Sequence, residues 1–560
     1  MPFRPHARLR ESLVWLGMVT AVALLEARLT RLQLNPDGVS YLDLADALRV
    51  GDWPAFVQGY WSPLYPTILA AFGLAGESVG VNALAAAHWA NAVIVIAGAM
   101  LTHRFVTLLW RSLPFHVGAR RELWTRAVWA TYAMCALVLT KIDSITPDSL
   151  LLCVMIAIAT ELLVHGGGRS VLLGALLGLA YLAKTSSWPW LLVVLAATYL
   201  PWSRVASRGR PILTTGAMLA VMLPWAVPMS RTYDSFTLGA TGRLNACWYL
   251  RHCDSRSPDT HEGGHREYQQ VPIDDLRAAT TANFAAVEWT YEPWSDPTAW
   301  AEGVITRDEE PWRPGAYAAV VAQNLGDAAR YIGPFLYLPI LTVILFWWGY
   351  TRAVHVRSEL SHRALMVTAL GAVGIAQFVA VHVEPRLLSP FAFMHVVALV
   401  AVAMGARTIA RSDTTPTPRR MEKEPQRREQ TTKASLPERA LAWLPMLFVL
   451  PVVGQNVRGD MQVEQAVFAY RAEIESLSTQ ASRGFPRRTI VVAGEAFPLV
   501  AHARAIGARI VAQVLPASAR TLATLSPVER QRVLREAGAG RADVAWEMRS
   551  DGRIAITPLN

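Results

Sequence analysis

The sequence predicts an all-α polytopic membrane protein with a large outer loop and a small C-terminal α/β domain. Three observations carry that expectation. Of the 560 residues, 52% are hydrophobic and only 17% charged, against roughly 25% charged residues in soluble domains. Runs such as VNALAAAHWANAVIVIAGAML (81–101) match the ~20 apolar residues that a helix needs to cross a bilayer. The basic residues gather between such runs, so the formal net charge of +10 marks loops on one side of a membrane and implies no nucleic acid.

Taken in order, the apolar segments are 12–30, 81–101, 126–141, 149–165, 171–183, 188–200, 211–229, 329–349, 364–383, 389–406 and 438–455, about eleven spans. The first follows FRPHARLR, as a signal peptide would, but Glu26 and Arg28 stand where a cleavage site needs small residues, so it reads as an uncleaved span. Arginine-rich stretches follow Leu101, Leu200 and Trp348, and another fills 411–435. Placing all of them in the cytoplasm puts the N-terminus inside and four regions outside: 30–80, 141–148, 230–327 and the tail after Gln455. The expected organisation is a membrane domain over 1–410, a basic cytoplasmic linker at 411–437, a last span at 438–455 and an extracytoplasmic domain at 456–560.

The loop at 230–327 is rich in Trp and Pro and too long for a plain connector, which predicts a folded cap. The tail segment RTIVVAGEAFPLVAHARAIGARIVAQVL reads as strand, turn, helix, strand, because β-branched residues precede Gly494 and an Ala-rich pattern follows it. VVAGEA lacks the glycine spacing of a dinucleotide site, so no cofactor is assigned. Cys135 and Cys153 fall within spans; Cys247 and Cys253 share a polar loop, where a disulfide and two reduced thiols are both open. His261 and His265 have an i, i+4 spacing without a helical pattern around them, and no metal site is assigned.

Along the outer face the ionisable residues recur. Asp37 follows the first span in LNPDGVSYLDLADAL, and Asp143 and Asp148 lie in KIDSITPDSLLL. Lys184 ends the fifth span, and His382, Glu384 and Arg386 lie in HVEPRLLSP. Charged groups at membrane level are costly unless they face protein or a wet cavity, so together they mark a functional site. Bland alternatives stand beside this: Asp148 complements a helix N-terminus, Arg386 snorkels, and Asp43 and Asp46 line a solvated face. Lys184 resists such a reading, because arginine serves nearly every other basic position. His88 and Asn91 sit within the second span and read as satisfied core polar groups rather than metal ligands.

The order of these motifs resembles the GT-C glycosyltransferases, especially the protein O-mannosyltransferases and the lipid A aminoarabinose transferases of the glycosyltransferase family 39 group. The likeness runs over about 12–405 through the Asp-Gly pair, SPLYP, PDSLLL, GLAYLAKTS and EPRLLSPF. It implies a polyprenyl-phosphate sugar donor, inversion at the outer face of the inner (plasma) membrane, and Asp37 and Asp148 as catalytic acids. It also places Lys184 and Arg386 at the site, where they would hold the donor phosphate; Tyr65, Glu384 and His88 are assigned to substrate binding beside them. Two positions depart from the pattern: Ser62 replaces the basic residue before the proline, and Leu387 replaces a tyrosine.

The residues support the same chemistry directly. A displacement at an anomeric carbon needs a base for the acceptor proton, here Asp37, and cations for the departing phosphate, here Lys184 and Arg386. Gly38 is expected to allow a turn that aims Asp37 at the cavity. Tyr60, Trp61 and Tyr65 would form a shelf at the lipid headgroups. No cofactor is required, and a divalent cation bridging Asp37 to the donor stays open. The acceptor (protein, lipid or glycan) is not named by the sequence. The rival reading is a transporter or flippase of lipid-linked glycans, which predicts charges spread through the bilayer depth and paired broken helices.

Overall fold

The computed structural model describes residues 6–112, 120–199, 209–251, 314–332, 359–410, 451–459 and 461. In the tail it describes 489–493, 509–514, 526–529, 531–532, 544–548 and 554–558. The linker 411–437, residues 252–313 of the predicted loop 230–327, and most of the predicted spans 329–349 and 438–455 lie outside the described residues. So do His261, His265 and Cys253.

Helix α1 (His6–Thr30) leads into three short helices: α2 (Pro36–Val50), α3 (Trp53–Phe56) and α4 (Leu64–Ser78). Local chemistry sets their ends. Pro36 opens α2 at a position that needs no N–H, and Gly51 closes it in the left-handed conformation at φ 78°. Asp52 then caps α3 by accepting from Ala55 N at 3.2 Å. Helix α5 (Ala83–Ser112) begins where Asn82 Oδ1 accepts from Ala85 N at 2.8 Å.

Next come α6 (Arg120–Ala133), which runs into a π turn (Met134–Leu139), then α7 (Asp148–Leu163), α8 (Ser170–Ala183), α9 (Trp188–Tyr199) and α10 (Gly209–Thr232). Helix α11 (Thr241–Asn245) runs into a second π turn (Ala246–Arg251). The later helices are α12 (314–332), α13 (Glu359–Val379), α14 (Pro385–Ala410) and α15 (451–459). Among the described residues, Glu11–Thr30, Ala83–Arg111 and Pro211–Thr232 are long and apolar enough to cross a membrane. Ser170–Ala183, Arg363–Val379 and Pro385–Ala401 are apolar but shorter. Helix α7 is buried on nearly every side, as the central member of a bundle must be.

Between helices that are equally apolar, small residues let backbones close up. Gly174 and Gly178, one turn apart on α8, leave no room for a Cβ against Thr214, Ala217 and Val221 of α10. At the end of the bundle opposite the acids, polar bonds tie α1, α5 and α6. Ser12 Oγ meets His103 Nδ1 at 2.8 Å and accepts from Trp129 Nε1 at 2.9 Å, and Arg126 pairs with Glu11.

In the tail, β1 (Thr489–Ala493) and β2 (Arg509–Val514) pair in parallel, and the helix predicted between them lies outside the described residues. Strands β3 (Val544–Met548) and β4 (Ile554–Pro558), which the sequence reading did not foresee, complete a sheet of order β2-β1-β3-β4. Strand β3 is parallel to β1 and antiparallel to β4, so β4 is its hairpin partner at the edge of the sheet.

Gly38 lies inside α2 rather than in the turn expected of it. Its value is the missing side chain: an added Cβ would sit 2.8 Å from Asn35 Oδ1 and 3.0 Å from Ile145 Cβ. The segment between α6 and α7 therefore packs directly on the first turn of α2. We expect Gly38→Ala to destabilise the protein by about 1–3 kcal/mol, whereas Gly17→Ala, which meets nothing within 4 Å, leaves stability unchanged or higher. Thermal unfolding of the two variants in the same detergent checks this.

Candidate active site

The alternating helices bring one set of ends together: the first turn of α2, the N-terminus of α7, the C-terminus of α8 and the segment joining α13 to α14. Each delivers a charged residue. Arg386, in the first turn of α14, donates from Nη1 to Asp37 Oδ2 at 2.6 Å and from Nε to Glu384 Oε2 at 2.5 Å. Glu384 Oε1 lies 3.2 Å from His382 Nε2, and the His382 ring stacks on Tyr249, centroids 4.0 Å apart and planes 11° apart. Burial would raise the Glu384 carboxyl, but the His382 hydrogen bond and the Arg386 charge outweigh it and hold the group well below the usual carboxylate range.

The second pair is deeper. Lys184 donates from Nζ to Asp148 Oδ1 at 2.5 Å, and the Asp148 side chain is 1% exposed against 18% for Lys184. Asp148 Oδ2 is buried and has no hydrogen-bond partner among the described residues. Lys184 occupies an extended break (φ −153°, ψ 104°) between α8 and a 3-10 turn (Thr185–Ser187) that leads into α9. The two pairs are within electrostatic reach of one another: the charges of Asp37, Asp148 and Arg386 all act on the Tyr41 hydroxyl.

Asparagines hold the segments that carry these charges. Asn91 on α5 donates to Ile142 O at 3.1 Å and Ser144 O at 2.9 Å, fixing the segment before Asp148. Asn35 Oδ1 accepts from Ile145 N in the same segment at 2.7 Å. Asn324 on α12 donates to Val379 O and Val381 O, both at 3.1 Å, and so fixes the segment that carries His382, Glu384 and Arg386. Asn91 stands out in the sequence as a polar residue within a span, but nothing local marks Asn35 or Asn324, because a carboxamide's partners here are backbone carbonyls and amides far away in the chain.

The remaining candidates fall into two groups. Tyr65 is fully buried, donates to Asn91 Oδ1 at 2.7 Å and stacks edge-on against Tyr41, so its hydroxyl serves the protein. His88 is fully buried, with Nε2 2.8 Å from Gln33 O and Nδ1 3.2 Å from Thr30 Oγ1 and 3.3 Å from Ile142 O. Both nitrogens are engaged, and the ring is a strut between the end of α1 and the segment before α7. Trp61 is buried as well; of the expected aromatic shelf, Tyr60 is half-buried, and burial followed by the Asp37 charge pushes its hydroxyl up.

Two further expectations change. Asp43 is 1% exposed, because the α2 face that carries it packs inward, and so does not line a solvated face; Asp46 is half-buried and pairs with Arg49 at 3.2 Å. Ser62, where the resemblance puts a basic residue, accepts from Thr185 N at 2.7 Å. It therefore pins the backbone next to Lys184. Asp143 accepts from its neighbour Ser144 at 3.2 Å, and Lys141 is exposed at φ 57°. Cys135 and Cys153 are free and buried. Among the described residues no group of three or more His, Cys, Asp or Glu is placed to hold a metal ion.

No family model matches the chain, and no curated protein does. Among solved structures it is similar to ArnT from Cupriavidus metallidurans bound to undecaprenyl phosphate, with 16% identity over 71% of this chain and 78% of that one and a TM-score of 0.30. The apo state of that ArnT gives 14% identity over 72% of this chain and 78% of that one, with a TM-score of 0.28. The archaeal oligosaccharyltransferase AglB from Archaeoglobus fulgidus, in complex with an inhibitory peptide and a dolichol-phosphate, gives 12% identity over 97% of this chain and 74% of that one, with a TM-score of 0.43. Superpositions this loose bear on neither the activity nor the roles of the residues.

A carboxyl held low in the folded state lends stability above its unfolded range, about pH 4.3 for Glu, and withdraws it as pH falls through and below that range. Glu384 is such a group. The melting temperature of the wild type should therefore drop more steeply below about pH 4.3 than that of Glu384→Gln, which has no proton to take up. Equal slopes would show that the Arg386 and His382 contacts lend the folded carboxylate no preference.

Proposed function

We propose that this chain is an integral membrane glycosyltransferase that moves a sugar from a polyprenyl-phosphate donor to an acceptor at the outer face of the plasma membrane, with inversion. The observation that supports it most is the convergence of Asp37, Arg386, Lys184 and Asp148, drawn from four distant segments, at one end of a helical bundle. On this reading about eleven spans thread the bilayer with the N-terminus inside, and the site and the tail domain lie outside. Glu384 belongs to the site through Arg386, while Tyr65 and His88 support its walls.

In a single displacement the acceptor attacks the anomeric carbon from the face opposite the phosphate. The new carbon–acceptor bond forms, the carbon–oxygen bond to phosphate breaks, and its electron pair leaves with the phosphate. Asp37 takes the acceptor proton. The departing monoester carries more negative charge than the diester did, so contacts from Lys184 and Arg386 strengthen as the bond breaks, which is the differential binding that catalysis requires. Asp148 is a positioning residue: its carboxylate is buried under Lys184 and aims the ammonium. The transfer needs no cofactor, and a divalent cation would add to the phosphate contacts without replacing them.

The test uses the purified full chain in lipid nanodiscs with radiolabelled polyprenyl-phosphate sugars and a membrane extract as the source of acceptors. Release of polyprenyl phosphate with label in a new product is expected, and Asp37→Asn should lower that rate by roughly 10²–10⁴-fold. Turnover that survives the substitution removes Asp37 from the reaction. Translocation of intact donor without cleavage would replace the transferase with a flippase.

A further inference from the structure

The cations of the site are not free to receive a phosphate. Three carboxylates, Asp37, Glu384 and Asp148, face the two cations Arg386 and Lys184 in ion pairs. A guanidinium grips a phosphate best with two parallel N–H bonds, and it has two edges for this: Nε with Nη2, and Nη1 with Nη2. In Arg386, Nε is taken by Glu384 and Nη1 by Asp37. Both edges are thus engaged by a carboxylate at one nitrogen, so a two-pronged grip on a phosphate competes with Glu384 or Asp37.

We infer that the donor phosphate displaces Asp37 from Arg386, so that the base is masked until the donor is seated; this rests on the transferase reading above. Asp37 is the carboxylate free to go. Glu384 is two residues from Arg386 in the same segment and is held from its other oxygen by His382. Asp37 comes from another helix, and Arg386 is its partner in the structure. Its side chain is 28% exposed, and it sits in the first turn of α2, where released negative charge is supported by the helix N-terminus.

The second pair behaves differently. Asp148 is 1% exposed, and one of its oxygens already lacks a partner among the described residues. Withdrawing Lys184 would strand a buried charge, so this pair stays closed. An ammonium has three donors, and Lys184 can offer another to the phosphate while it keeps Asp148. One pair is therefore a fixed anchor and the other an exchangeable mask. Exchange leaves the charge opposite Arg386 in balance and turns Asp37 from an ion-pair partner into a proton acceptor. It imposes an order, donor before acceptor.

The experiment measures binding of a short-chain polyprenyl phosphate to the full chain in nanodiscs, with polyprenol and inorganic phosphate as the other two ligands. Removing the competing carboxylate with Asp37→Asn should tighten lipid-phosphate binding roughly ten-fold, even though it abolishes transfer. Asp37→Ser carries the same expectation should the first variant fold poorly. Asp148→Asn should instead weaken binding, because Lys184 loses its anchor. Opposite signs support the exchange, whereas tightening in both variants would mean that loss of any negative charge is enough and overturns it. Unchanged or weaker binding in the Asp37 variants overturns it too, while the transferase reading stands. If the wild type binds the phosphate no better than polyprenol, the donor reading itself falls. Competition by inorganic phosphate alone, at the affinity of the lipid phosphate, would give the site to free phosphate and overturn the proposal.

Discussion

The ion pair between Asp37 and Arg386 joins residues 349 positions apart and is the contact around which the charged end of the bundle is arranged. Two unit charges this close attract strongly only where water is partly excluded, and each loses solvation on the way in. The pair is half-buried, so neither extreme applies. It persists because the segments carrying it are held by other bonds. Arg386 is aligned by Glu384, Glu384 by His382, and the segment beneath them by Asn324. Asp37 is placed by the close packing of α2 against Ile145, which the bare backbone of Gly38 permits.

The Lys184–Asp148 pair is supported by a separate set of contacts. Asn91 and His88, one helical turn apart on α5, hold the backbone that leads to Asp148, and Asn91 also takes the hydroxyl of Tyr65. Lys184 sits in a helix break, where the ammonium can turn toward Asp148 instead of following the α8 surface. Ser62 fastens that break from the loop between α3 and α4. The loop is in turn tied to the segment after α10, where Gly59 donates to Tyr233 Oη at 2.9 Å and accepts from Ala240 N at 3.0 Å. Polar side chains that would be orphaned in an apolar bundle are thus spent on backbone groups of irregular segments, where buried N–H and C=O groups need partners most.

Hydrophobic runs and charge clusters were readable in the chain because each is a local property. The runs at 12–30, 81–101 and 211–229 fall almost wholly within the helices 6–30, 83–112 and 209–232, the second of which continues eleven residues past its apolar run, since twenty apolar residues leave the backbone few other ways to satisfy its hydrogen bonds. The four charges at 37, 148, 184 and 386 were picked out for their cost at membrane level. Other readings failed where the local pattern was neutral. DGVSY reads equally well as a turn and as a first helical turn, and the packing of Ile145 on Gly38 favours the helix. Asp43 and Asp46 have the spacing of a solvated face, yet that helix lies against α4 and buries Asp43.

By itself the sequence determined the membrane-type composition, the alternation of apolar and basic segments, and which ionisable residues sit at segment ends. All of these depend on neighbours within about one helix length. Tertiary structure decided the pairing: that Arg386 takes Asp37 and Glu384 while Lys184 takes Asp148, that Tyr65 and His88 are committed to the protein, and that Ser62 acts on the backbone beside Lys184. Pairing is a matter of ångströms between segments brought together by helix packing, and no periodicity along the chain encodes it.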